Sequence, residues 1–200
     1  ARFLAATEQY ECGAGVIELS AHALSLHRVV GIVFDVAAFT NLQHDHLDYY
    51  GDMENYFQAK ALLFTPEHSR HGVVCVDDEW GRRLAQQATV PVTTVSALTE
   101  EAADWQVRDV TPDKTIGRTV FTLIDPSGTG HRVAMPILGE VNIQNTAVAI
   151  VSAVSLGIDL ADVIATIEDA PQIPGRMEKV NPMPGHQPLV IVDYAHTPEA

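Results

Sequence analysis

Residues 41–60 read Asn-Leu-Gln-His-Asp-His-Leu-Asp-Tyr-Tyr-Gly-Asp-Met-Glu-Asn-Tyr-Phe-Gln-Ala-Lys, the densest run of potential metal ligands in the chain, with a lysine behind them. His44, Asp45, His46 and Asp48 supply two imidazoles and two carboxylates, and hard or borderline divalent cations take such nitrogen and oxygen donors. The competing use of the same turn is polar surface, with Asp48 capping a helix. Lys60 follows Phe57 by three residues and precedes Phe64 by four. At the margin of an apolar stripe a lysine must be paired or must snorkel to water. A partly buried amine has a lowered pKa and becomes reactive.

The elements that carry this block are readable from periodicity. Met53, Phe57, Ala61 and Phe64 fall at i, i+4, i+8 and i+11, which predicts a helix over 52–64, stopped by Pro66. Residues 29–34 and 36–40 are apolar, β-branched runs that read as strands, so the block begins at the carboxyl end of a strand, where open α/β sheets bind ligands. Residues 2–11 read as the end of a helix closed by Gly13 and Gly15, and residues 16–19 as a short buried strand. Residues 73–76, 78–88 and 92–95 form a strand, helix, strand unit. The runs 107–110, 119–124 and 132–137 alternate, with Asp125-Pro-Ser-Gly-Thr-Gly130 as a turn, which predicts an antiparallel insert or subsheet. Residues 142–156 and 160–169 read as helices parted by Gly157. Residues 172–188, with Pro174, Gly175, Pro182, Pro184, Gly185 and Pro188, read as a hinge or linker before a strand-like run at 189–192. The fold class is α/β: a mostly parallel sheet flanked by helices, with a small antiparallel subsheet.

Composition narrows the partners. Twelve Lys plus Arg against 26 Asp plus Glu give a formal charge of -14, which repels a phosphate backbone and an anionic membrane surface. Nucleic acid is therefore not an expected partner. Cys12 and Cys75 have no ligand spacing and form no framework; both read as buried small hydrophobes in a reducing compartment. The longest apolar stretch, 147–154, is interrupted by Ser152 and falls far short of the roughly 20 residues of a membrane span. No secretory leader pattern opens the chain. No membrane partner is expected, and the cytoplasm is the expected location.

Two resemblances compete for the 41–60 block. His44-x-His46-x-Asp48 matches most of the H-x-H-x-D-H signature of metallo-β-lactamase-type zinc hydrolases, but Tyr49 stands where the last histidine belongs, and Asn41 and Lys60 have no part in that signature. Thr40-Asn-Leu-x-x-Asp45-His46-Leu-Asp48-Tyr-x-Gly51-x-Met53-x-x-Tyr56-x-x-x-Lys60 resembles the central-domain signature of the Mur ligases, closest to the MurE type. Glu18-Leu-Ser20-Ala-His22-Ala-Leu is similar to that family's E-V-S-S-H-x-L. Gly139-x-x-Asn142-x-x-Asn145, Pro174-Gly175-Arg176-Met177-Glu178 and Val192-Asp193-Tyr-Ala-His196-Thr-Pro198 are similar to its nucleotide motifs. The blocks stand in the family's order along nearly the whole chain.

The resemblance implies an ATP-dependent ligase of peptidoglycan precursor synthesis. Such an enzyme adds a free amino acid to UDP-N-acetylmuramoyl-L-Ala-D-Glu through an acyl phosphate, with magnesium ions neutralising the transferring phosphoryl group. Carried over residue by residue, Glu18 and His46 are magnesium ligands. Lys60 takes up carbon dioxide, and the resulting carbamate holds a second Mg2+ ion. Asn142 and Asn145 read adenine, their carboxamides offering both donor and acceptor, while Asn142 as a simple helix N-cap is the compatible alternative. Arg176 reaches the ATP phosphates and Asp193 the ribose hydroxyls. Ser20, His22 and Arg28 contact the UDP-sugar, with Asn41 on the substrate side. Ala21 and Leu26 depart from the family pattern there, standing for its usual second serine and glutamine.

The resemblance also implies missing parts. The chain holds no G-x-x-x-x-G-K-[ST] loop and no Gly-Lys pair, and an ATP-dependent ligase needs that phosphate cradle. The expectation is that residues 1–185 are most of a central, ATP-binding domain cut at its amino end, and that 186–200 open a C-terminal domain. The UDP-binding N-terminal domain and the D-N-P-[RA] amino-acid selector then lie elsewhere in the same protein. Folylpolyglutamate synthases share the ATP machinery, but the Ser20-Ala-His22 and Asp193-Tyr-Ala-His196 blocks favour the peptidoglycan branch. A binding module for cell-wall synthesis partners is the non-enzymatic alternative. The isolated 200 residues are expected to show no ligase turnover and weak ATP binding; a phosphate-release assay on them checks this, and measurable turnover contradicts it.

Overall fold

Val73, Val74 and Cys75 are fully excluded from solvent, so the strand they form, β2 (Gly72–Cys75), is covered on both faces, as a helix-flanked parallel sheet requires. The computed structural model that shows this describes residues 2–113, 118–180 and 190–194. β2 pairs in parallel with β1 (Ala37–Phe39) on one side and with β3 (Val92–Ser96) on the other. The crossover to β3 is the helix α5 (Glu79–Gln87), whose N-cap Asp78 accepts the Gly81 N–H at 2.6 Å. Gly81 is obligatory: a Cβ there would lie 1.8 Å from the Cys75 carbonyl oxygen.

β4 (Trp105–Asp113) continues the parallel set beside β3, and β5 (Arg118–Ile124) and β6 (Gly130–Met135) then run antiparallel. The alternating runs thus pair as expected and extend one six-stranded sheet in the order β1-β2-β3-β4-β5-β6. Asp125 ties the β5–β6 turn by accepting the Ser127 and Thr129 N–H groups and by meeting His131 at 2.8 Å. A second, two-stranded antiparallel sheet joins β7 (Glu178–Val180) to β8 (Val190–Val192). Part of the expected linker is therefore strand. Pro182, Pro184, Gly185 and Pro188 lie outside the described residues, as does the expected boundary at 185/186.

Strand alternation sorts the core into two halves. Val73 and Cys75 face α6 (Glu140–Ser155) and α7 (Leu160–Glu168), meeting Ile143, Ala147 and Ile150 beside Phe121 and Leu123 of β5. Val74 and Val76 face the opposite layer, where Tyr56, Phe57 and Phe64 come from α4 (Met53–Ala61) and the 3-10 turn that follows it. The predicted helix over 52–64 is this pair. α1 (Arg2–Gln9) and α2 (Ala21–Ser25) precede β1.

Three expectations fail. Residues 16–19 form no strand, and Val16 is 93% exposed. Within 29–34 only Phe34 makes a bridge, to Ser69, because His27 and Gly31 at positive φ turn the chain through 26–31. Cys75 is buried as expected, but Cys12 is exposed beyond the end of α1.

Phe57 has no exposed surface and stacks near Trp80, with the Arg83 guanidinium 4.6 Å over its ring. Phe57→Ala is expected to cost about 3–5 kcal/mol in urea unfolding, whereas Leu62→Ala, at a side chain 42% exposed, is expected to stay within about 0.5 kcal/mol.

Candidate functional site

The chain leaving β1 is held by two hydrogen bonds. Leu42 N–H donates to Asp78 Oδ2 at 3.2 Å, so one carboxylate both caps α5 and fixes this loop. Asn41 Nδ2 donates to Gln144 Oε1 of α6 at 3.1 Å. Beyond the loop, His46 sits in the left-handed region at φ 55 and starts the short helix α3 (Leu47–Tyr50) without a side-chain cap. The cap of the next helix is Asp52, which accepts the Asn55 N–H at 2.7 Å. Asp48, expected as a possible cap, lies in the first turn of α3 instead.

Tyr56 is the wall on which the block closes. Its ring is buried, lies 5.7 Å from the His46 ring at 88°, and has Lys60 Nζ 5.3 Å from its centroid. Burial lowers the Lys60 pKa, and the carboxylates of Glu18 and Asp45 act in the opposite direction through charge. Burial also pushes the Tyr56 hydroxyl up, helped by Asp45 and Tyr50. His46 and Lys60, from separate segments, thus approach one ring, and Glu18 acts on Lys60 through charge. His22 joins from α2, its ring 5.1 Å from His46 and 4.2 Å from Tyr49.

Glu18, Asn41, Lys60, Asn142, Asn145, Arg176 and Asp193 all line one cavity of about 2160 Å³. Asn142 is not the helix N-cap: that position is Gly139 at φ 104, and Asn142 Nδ2 donates to the Leu138 carbonyl at 2.8 Å. Arg176 and Asp193 are neighbours because Met177 N–H donates to Asp193 Oδ2 at 2.7 Å and Tyr194 N–H to the Gly175 carbonyl at 2.9 Å. Gly175 has φ 70, and a Cβ there would meet the Tyr194 ring at 2.2 Å. Ser20, His22, Arg28 and His46 are not among the lining residues. Ser20 caps α2 by accepting the Ala23 N–H at 3.2 Å, and Arg28 is exposed on the turn after it. His196 lies outside the described residues.

No group of three or more His, Cys, Asp or Glu side chains is arranged to hold a metal among the described residues. The zinc arrangement of His44, His46 and Asp48 is therefore not assembled.

Sequence reasoning missed the polar hub beneath the site. Asp77, at the carboxyl end of β2, accepts from Ala97 N–H at 3.0 Å, Leu98 N–H at 3.1 Å, Ser96 Oγ at 3.1 Å, Thr99 Oγ1 at 3.0 Å and Cys75 Sγ at 3.1 Å. Gln144 Nε2 donates to it at 3.2 Å. Burial pushes the Cys75 thiol up to about 12, so Cys75 is a donor here and not a nucleophile. The signal was present in the Asp77-Asp78 pair that ends a buried strand, the position where α/β sheets place functional groups.

Residues 1–153 match the Mur ligase middle domain. The chain belongs to the Mur ligase family. A UDP-N-acetylmuramyl-tripeptide synthetase of Leifsonia xyli subsp. xyli is 49% identical over 192 residues, covering 94% of this chain and 36% of that protein. A UDP-N-acetylmuramoyl-L-alanyl-D-glutamate--2,6-diaminopimelate ligase of Streptomyces coelicolor is 45% identical over 186 residues, with 92% and 36% covered. A solved ligase of that same description superposes with a TM-score of 0.76 at 30% identity over 91% of the chain and 37% of its own. This Mur ligase chain therefore spans 36% of the length of these two relatives.

Burial by itself would raise the Asp77 pKa, but hydrogen bonds from Cys75, Leu98, Thr99 and Ala97 outweigh it and hold the carboxyl below its ordinary value. Its contribution to stability is complete above the unfolded-state value of roughly 3.9 and is lost as pH falls through the lower folded-state value. Asp77→Asn turns an NH2 group toward these donors and is expected to destabilise the domain by about 3 kcal/mol at neutral pH. In urea titrations, the gap to the wild type should narrow on acidification below roughly pH 4.

Proposed function

We propose that the protein of which this chain is part is an ATP-dependent ligase that joins a free amino acid to UDP-N-acetylmuramoyl-L-Ala-D-Glu in peptidoglycan precursor synthesis. The observation that carries this reading is that Glu18 and a desolvated Lys60, whose amine lies near the Tyr56 ring that His46 also meets, line one cavity with Asn142, Asn145, Arg176 and Asp193. The names of the relatives are consistent with it: they are tripeptide synthetases and diaminopimelate ligases.

The donor set fits magnesium once Lys60 is modified. A neutral amine forms an N–C bond to carbon dioxide and releases a proton, and the carbamate so formed joins Glu18 and His46 as an oxygen donor. Two Mg2+ ions held there would supply neutralisation of charge on a transferring phosphoryl group. The rest of the task falls to the chain. Burial favours the neutral form of Lys60, and the His46 ring lies 5.7 Å from the Tyr56 ring. Asn142 and Asn145 offer carboxamides to an adenine edge, Arg176 offers charge to phosphates and Asp193 accepts from ribose hydroxyls. Ser20 caps α2, His22 lies on it and Arg28 just after it, where the UDP-sugar would pass.

The domain organisation is part of the proposal: 1–185 as a central domain, 186–200 as the start of a C-terminal one, and the phosphate-cradling loop on a preceding segment. A cytoplasmic location suits its soluble nucleotide substrates. No helix among the described residues is long and apolar enough to cross a membrane.

In the full-length protein, phosphate release is expected only when ATP, the UDP-linked dipeptide and an amino acid are all present. Lys60→Ala and His46→Ala should each lower kcat by roughly 10²–10³-fold, and His44→Ala should leave it within about twofold. A ¹³C NMR carbamate signal from labelled bicarbonate should be present in the wild type and absent in Lys60→Ala. Because burial lowers the Lys60 pKa, the neutral fraction and hence the signal should grow as pH rises and fade on acidification. Turnover that needs no ATP and collapses in His44→Ala instead points to a zinc hydrolase.

A further inference from the structure

We infer that Gln144 is a positioning residue: it fixes the orientation of the Asn41 carboxamide so that Asn41 presents its Oδ1, a hydrogen-bond acceptor, to the cavity. The chain of contacts leaves one arrangement. Asp77 is an acceptor already serving two backbone N–H groups, two hydroxyls and a thiol, so the Gln144 atom 3.2 Å from its Oδ2 must be Nε2. Cys75 gives its S–H to Asp77, which leaves its sulfur as an acceptor for the same Nε2 at 3.2 Å. Gln144 is only 5% exposed, and turning its amide over would set a carbonyl oxygen against a carboxylate. Its Oε1 is therefore aimed at Asn41, and Asn41 must answer with Nδ2, as it does at 3.1 Å. That leaves Oδ1 of Asn41, on the cavity wall, for a ligand that donates: a hydroxyl, an amide or ammonium N–H, or metal-bound water.

The polarity of the site is thus written from below. A carboxylate at the end of β2 dictates the amide of α6, and that amide dictates the loop after β1. Gln144 also stands between Asn142 and Asn145, so the nucleotide-side helix and the 41–60 block share one hydrogen-bonded link. The inference rests on the ligase reading for its kinetic consequence, but not for its geometry.

Two measurements test it. In protein labelled with ¹⁵N-asparagine, the Asn41 side-chain amide, identified by its loss in Asn41→Ala, should be protected from solvent exchange, and Gln144→Leu should abolish that protection. Free exchange of Asn41 in the wild type overturns the inference whatever the enzyme does. In the full-length enzyme, Gln144→Leu should lower kcat/KM for the UDP-linked substrate by roughly 10- to 100-fold, the range for loss of an outer partner of a site group, with KM for ATP unchanged. The double variant Asn41→Ala/Gln144→Leu should be no slower than Asn41→Ala, since the effect passes through Asn41. Gln144→Glu, which in its protonated form keeps an acceptor toward Asn41 and a donor toward Asp77, should recover activity relative to Gln144→Leu. Additive losses, or a raised KM for ATP, assign Gln144 to holding α6 together and overturn the positioning role. Wild-type protein without ATP-dependent turnover sinks the ligase reading alone, because the exchange measurement still decides the geometry.

Discussion

A half-buried carboxylate at the end of a fully covered strand needs donors, and Asp77 finds them in the pieces that frame the site. The last residue of β3 supplies one hydroxyl, the loop after it two backbone N–H groups and a second hydroxyl, β2 itself a thiol, and α6 an amide. Each group left unpaired there would cost about 1–3 kcal/mol. The fold therefore tolerates little slack where these segments meet, and that constraint passes through Gln144 to Asn41 and through Asp78 to Leu42.

The opposite side of the site is built by packing. Phe57 of α4 and Phe64 of the following 3-10 turn pack with Val74 and Val76, with Tyr56 buried beside them and Lys60 half-buried near its ring. Helical spacing puts residues four apart on adjoining turns, so Tyr56 and Lys60 act as one unit. His46 reaches the same ring from an unrelated backbone geometry, a left-handed residue ahead of a four-residue helix. The site is the seam between a polar hub that fixes loops and an apolar layer that fixes a helix.

Elements whose signal is local were legible. The strand, helix, strand unit at 73–95, the helix over 52–64 and the alternating strands after 105 appear where their periodicity places them, because burial on one or both faces imposes that periodicity directly. The readings at 16–19 and 29–34 failed although their composition is equally apolar. A strand is a pairing, and a β-branched run without a neighbour to pair with stays coil. Cys12 illustrates the same limit: its residue type favours burial, yet it is exposed beyond the end of α1.

By itself the sequence determined the chemistry on offer: which donors exist, that Lys60 borders an apolar stripe, and that the ordered blocks from Glu18 to Asp193 resemble one ligase family. Only the tertiary structure decided which of those groups meet. His46 and Lys60 share the Tyr56 ring and Glu18 acts on Lys60 through charge, while His44, His46 and Asp48 do not assemble. It also exposed the hub of Asp77 and Gln144, two residues separated by 67 positions, whose bond no local pattern encodes. Spacing along a chain fixes neighbours on one helix or strand, whereas contacts between elements follow from how buried faces and unpaired polar groups are jointly satisfied in three dimensions.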